Sequence, residues 1–146
     1  TKKMKKIALA LGLLATAVFA HAADPLKGTV WKTIDDKTNE PKALVKFTEQ
    51  KNGTLSATIQ NVLTPGEENS CGQCEGPYHN KSLKGVTIVH GLKNTGGKNY
   101  DSGTILDPKN GKTYKLKGEL AGNKLNLRGY MGVSILGRNQ TWIRAN

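Results

Sequence analysis

Glycine-containing turns recur along this chain at short intervals, and what lies between them restricts the fold more than any other feature. The stretch from Ser102 to Glu119 shows the unit. Two β-rich runs flank Asp107-Pro108-Lys109-Asn110-Gly111. Asn110-Gly111 tolerates the positive φ of a tight hairpin, and Pro108 stops a strand or helix from continuing. Beyond the turn, Tyr114, Leu116 and Gly118 alternate with Lys115, Lys117 and Glu119. Such period-two alternation belongs to a strand with one face on a core and the other in water.

The same unit repeats with different turns. Strand-like runs cover Gly28 to Ile34, Ala43 to Thr48, Leu55 towards Leu63, Val86 to Leu92, Tyr100 to Leu106, Thr113 to Leu120, Lys124 to Met131 and Arg138 to Arg144. Asp24 to Lys27 is a short lead-in, and Gly132 to Gly137 is an apolar segment with room for one helical turn. No long amphipathic helix is present. Eight short antiparallel strands joined by tight turns form a meander, which removes its edges by closing into a barrel. The expected fold is therefore all-β, an eight-stranded antiparallel meander closing into a barrel over residues 26–146. An open sandwich is the alternative. A barrel of this size either fills with side chains or keeps room for one small ligand.

An exported address precedes the barrel. Lys5 and Lys6 form a basic start, Ile7 to Phe19 is apolar, and Ala20-His21-Ala22 has the small-residue pattern of a cleavage site. Residues 4–22 are thus expected to be a signal peptide, cleaved near Ala22, with the protein periplasmic or secreted. The chain has 146 residues and a net charge of +11; losing Lys2, Lys3, Lys5 and Lys6 with the leader leaves +7. A positive surface suits contact with an anionic envelope. Lysines spaced singly, without interleaved aromatics, argue against nucleic acid.

The interval from Thr64 to Lys84 breaks the pattern: it is rich in Gly and Pro and holds the two cysteines, Cys71 and Cys74. Long loops in compact domains tend to be functional or stapled. In an oxidising compartment a local Cys71–Cys74 disulfide is the leading expectation. Redox exchange would need a helix after the motif, and Pro77 follows closely. A zinc site through Cys71, Cys74 and His79, with His90 or Glu75 as a fourth ligand, is a further alternative.

Several motifs in combination resemble a known family. They are Gly28-Thr-Val-Trp31 with Asp35-Asp36, Cys71-Gly-Gln-Cys74, Gly91-Leu92, Ile105-Leu-Asp-Pro108 with Asn110 to Tyr114, Leu127-Arg-Gly-Tyr130, and Gly137 to Arg144. Together they resemble the small exported bacterial family named domain of unknown function 2147, over Lys27 to Arg144. The resemblance implies a lipocalin-like (calycin) barrel and no established reaction. Lipocalin-type barrels carry Gly-x-Trp in the first strand, with a basic residue of the last strand covering that Trp. Here the spacing is Gly28-x-x-Trp31, one residue longer, and Arg138 or Arg144 would be the covering cation for barrel closure.

No set of residues for catalysis stands out. No nucleophile has a visible base and orienter, and no Gly-x-Ser-x-Gly or phosphate-cradling loop occurs. Arg128 and Tyr130 share a face, where Arg128 would be solvated or receive a carboxylate. No catalytic residue, cofactor or resident metal is expected. The expected partners are the ligand and an envelope surface, not nucleic acid, and the chain is expected to be a monomer. The expected ligand is small and apolar or amphipathic, such as a fatty acid, held by Val45, Phe47, Ala57, Ile59, Ile88, His90, Tyr114, Leu116 and Leu127. The competing expectation is a barrel filled by its own side chains that acts through its surface and the Cys71–Cys74 loop.

Overall fold

A computed structural model describes residues 22–64 and 71–146. The expected signal peptide lies outside the described residues except for Ala22. The eight strands are β1 (Val30–Ile34), β2 (Pro41–Glu49), β3 (Leu55–Val62), β4 (Thr87–Gly96), β5 (Asn99–Leu106), β6 (Thr113–Ala121), β7 (Lys124–Tyr130) and β8 (Gly137–Arg144). Each pairs antiparallel with the next, and β8 returns to β1, giving a closed barrel in sequence order. The all-β barrel expected from turn spacing is the fold observed. Closure satisfies the backbone groups that an open sheet would leave at its edges.

Alternation along the strands builds the interior. Ala43, Val45 and Phe47 of β2 are buried while their neighbours are not, as are Leu125 and Leu127 of β7. Strand β4 departs from strict alternation. Ala57 pairs with Val89 while Leu55 pairs with Leu92 and Thr58 with Thr87, so β4 carries extra residues on both sides of Val89. Each such bulge shifts the phase by one residue. Ile88, Val89 and Leu92 all face inward, and His90 is turned out, opposite Thr104. Gly91 sits at φ +64°, the left-handed conformation that lets the strand absorb the insertion.

One end of the barrel is solid. Trp31, Phe47, Val45, Leu55, Leu92 and Leu125 are fully buried there. The ring of Phe47 meets that of Trp142 at 6.2 Å between centroids and 42° between planes, a tilted aromatic contact. The lead-in before β1 closes this end from below. Leu26 is fully buried, Thr29 Oγ1 donates to the Leu26 carbonyl at 2.6 Å, and Trp31 Nε1 donates to Thr29 Oγ1 at 2.7 Å. Asp24 accepts from the Tyr100 hydroxyl at 2.8 Å and from Asn94 Nδ2 at 3.2 Å. The short lead-in is therefore a plug.

One local expectation is corrected. Gly132 to Leu136 forms bends and a turn, not a helical turn, and Gly137 opens β8. The single 3-10 turn among the described residues is Gly76–Tyr78, which follows Cys74.

Candidate functional site

The other end of the barrel is hollow. A cavity of about 640 Å³ opens there, among the β1–β2, β3–β4, β5–β6 and β7–β8 connections. Its deep wall is apolar: Ile59, Leu116, Leu127 and Trp142 are each at least 96% buried and mark where the packed half stops. Ala43, Val62, Ile88 and Ile105 line the sides, and Met131 and Leu136 reach it from the β7–β8 connection. Polar groups gather towards the mouth, including Thr33, Asp35, Lys42, Lys109, Tyr114 and Arg138. An apolar depth with a few polar groups at its opening is the usual chemistry of a small-molecule site.

The expected lining divides in two. Ile59, Ile88, Tyr114, Leu116 and Leu127 do line the cavity. Val45, Phe47 and Ala57 are buried but lie in the packed half, outside the lining. Pleat direction decides which face a residue takes, while its height along the barrel decides whether it meets a neighbour or a void. His90 is corrected as an interior residue: the β4 bulges place it on the exposed face. The Tyr114 hydroxyl accepts a 2.8 Å hydrogen bond from Asn110 Nδ2, so its partner lies in the adjoining turn.

Among the described residues, two ion pairs hold the mouth. Lys109 Nζ donates to Asp35 Oδ2 at 2.9 Å, and Arg138 Nε lies 2.8 Å from Asp36 Oδ2. Asp35 lies just after β1, in the β1–β2 connection, and Lys109 sits between β5 and β6, half the ring away, so the first pair spans the opening. Asp35 Oδ1 also accepts the amides of Lys37 at 2.8 Å and Thr38 at 3.1 Å. The Lys109 ammonium, then these amides, hold the Asp35 carboxyl well below the usual carboxylate range. At the closed end, burial and then the Asp24 carboxylate push the Tyr100 hydroxyl well above the ordinary tyrosine value.

The cysteine loop is a fitted part of the rim. Cys71 and Cys74 form a disulfide with Cα atoms 5.3 Å apart, and both are buried. Bonded to each other, the two sulfurs are not available as thiolate ligands, which removes the zinc arrangement with His79. The His79 ring meets the Cys74 carbonyl through Nδ1 at 2.9 Å and Asn80 Nδ2 through Nε2 at 3.1 Å. The loop presses on the β5–β6 turn, where a Cβ on Gly111 would collide with the Gln73 carbonyl. Gly111 also sits at φ +73°, so both space and conformation demand glycine.

The expected cation over Trp31 is corrected as well. Trp31 pairs in register with Arg144 where β1 meets β8, so the barrel does close at these residues. The Arg144 guanidinium, however, donates to the Asn146 carbonyl at 2.8 Å, and Arg138 is at the opposite rim with Asp36. Among the described residues the cation over a ring is Lys117, 6.0 Å from the centre of Tyr130.

Sequence reasoning missed three groups. Trp142 shares its face with Gln140 and Arg138, a period-two signal that was legible. Asp35 lies in a polar stretch where nothing local marks its distant partner Lys109. Arg128 turns out to hold the β7–β8 connection, donating to the Ser134 and Ile135 carbonyls and to Asn139 Oδ1.

Residues 29–144 match the protein family described as "Uncharacterized protein conserved in bacteria (DUF2147)". A solved structure from the human pathogen Helicobacter pylori, of a protein described as belonging to the lipocalin family, superposes with a TM-score of 0.72. It is 24% identical, and the match covers 83% of each chain. No curated protein matches the chain.

Proposed function

Because the chain belongs to the uncharacterised bacterial family DUF2147, and its lipocalin-like barrel keeps one half hollow, we propose that it binds a small apolar or amphipathic ligand in that cup. A fatty acid is the type. The observation that carries the reading is the cavity of about 640 Å³, closed below by Trp142 and Leu116 and open above. That volume lies within the range of ordinary small-molecule sites, roughly 300–1,000 Å³. An acyl chain would lie against Ile59, Leu116, Leu127 and Trp142, and its polar end would reach the charged mouth.

The binding takes place outside the cytoplasm, in the periplasm or after secretion. The leader-like segment at residues 4–22 supports this, as does a disulfide in a chain with no other cysteine. The test is titration of the purified protein with a fluorescent fatty acid such as 11-(dansylamino)undecanoic acid, displaced by unlabelled fatty acids. Saturable binding of one probe per barrel, weakened at least tenfold by Ala43→Trp at the cavity wall, is the expected result. Absence of saturable binding would remove the carrier reading.

A further inference from the structure

The large apolar side chains exposed among the described residues are concentrated in one place. Met131, Val133, Ile135 and Leu136 are 54%, 57%, 81% and 72% exposed, and all four lie in the connection between β7 and β8. Isolated surface hydrophobics are ordinary, whereas a cluster of them calls for a partner. This cluster is also held in shape. Arg128 donates to the Ser134 and Ile135 carbonyls and to Asn139, and the Leu136 amide donates to the Val133 carbonyl at 3.1 Å. A guanidinium spanning both arms presents the apolar tip as a preformed projection, with little ordering left for binding to impose.

We propose that this connection is a membrane-docking tip that seats the mouth of the barrel on an anionic phospholipid surface. Three observations favour a bilayer over a second protein. The tip is a single short connection, small beside the roughly 800 Å² that each partner gives to a standard protein interface. A bilayer interface asks only for apolar side chains beside positive charge, and the chain without its leader carries +7. Lys109 and Arg138 at the same mouth are each paired with an aspartate, so the attraction rests on the net charge of the chain and not on these two cations. The third observation is continuity: Met131 and Leu136 belong both to the exposed tip and to the cavity lining. A lipid leaving the bilayer along this edge would pass from hydrocarbon to apolar protein without crossing water. That last step rests on the proposed carrier function; the docking itself does not.

Co-sedimentation with vesicles of phosphatidylglycerol and phosphatidylcholine tests the docking. The wild-type protein is expected to bind these vesicles, and pure phosphatidylcholine vesicles at least fivefold more weakly. The double substitution Val133→Asp with Ile135→Asp is expected to weaken binding at least tenfold. Neither residue lines the cavity, so affinity for the dansylated fatty acid should stay unchanged and report that the barrel is intact. Ile135→Trp supplies a second readout. Its emission should shift to the blue on adding anionic vesicles, against the constant background of buried Trp31 and Trp142. Wild-type protein that ignores anionic vesicles while binding the fatty acid would overturn docking and leave the carrier reading. Vesicle binding without any fatty-acid binding would do the reverse. A wild-type dimer that the double substitution converts to monomer would also overturn the proposal, in favour of self-association.

Discussion

Lys109 Nζ lies 2.9 Å from Asp35 Oδ2 and so ties together two connections on opposite sides of the barrel mouth. The pair is a strap over an apolar cavity, and its charge state sets how firmly the strap holds. Asp35 has a carboxyl pKa lowered chiefly by Lys109. A lowered carboxylate contributes stability above its unfolded pKa, near 4, and loses it as pH falls through the folded value. Thermal melts from pH 7 to pH 2 should therefore show a steeper acid loss for wild type than for Asp35→Asn. Identical acid limbs would mean that the strap contributes nothing.

The opposite end responds to base. Tyr100 donates to Asp24, and its hydroxyl pKa is raised by burial and then by that carboxylate. A raised pKa contributes stability that is complete below the ordinary tyrosine value, near 10, and is lost as pH climbs through the folded value. Tyr100→Phe should cost about 1 kcal/mol at pH 7 in denaturant titration. It should also lack the alkaline loss that wild type shows.

Leu26 tests the plug from the apolar side. It is fully buried although it precedes the first strand. Leu26→Ala should destabilise the barrel by about 2–5 kcal/mol, as truncations in a packed core do. A change within about 0.5 kcal/mol, as at an ordinary surface site, would show that the lead-in does not seal the barrel.

Most of the fold was legible because alternation and turn chemistry act locally. Strand positions read from Tyr114, Leu116, Leu125 and Leu127 agree with the barrel to within a residue or two. His90 was misplaced because bulges in β4 depend on its pairing with β3, which no local pattern reports. Val45, Phe47 and Ala57 were assigned the right face but the wrong height, since period two carries no information about where opposing walls touch. Arg138 and Arg144 share a face of β8, yet six residues of strand carry them to opposite rims, so both cannot cover Trp31. Asp24 and Asp35 acquire their roles from Tyr100 and Lys109, partners more than seventy residues away.

The Cys71–Cys74 disulfide closes a very short ring, so loop-closure entropy assigns it no more than about 2 kcal/mol. Cys71→Ser with Cys74→Ser should lower stability by that amount or less and leave the barrel folded. Gly111→Ala should also disturb the rim, through its positive φ and the Gln73 carbonyl. Far-ultraviolet circular dichroism unchanged from wild type, with a lowered melting temperature, is the expected outcome for both.

The central claim is that the hollow half of the barrel takes up a fatty-acid-like molecule. Native mass spectrometry of the purified protein mixed with a long-chain fatty acid tests it most directly. One bound acid per chain is expected for wild type, with occupancy reduced at least tenfold by Ala43→Trp at the cavity wall. A wild-type spectrum without a bound acid, or one unchanged by that substitution, would contradict the claim.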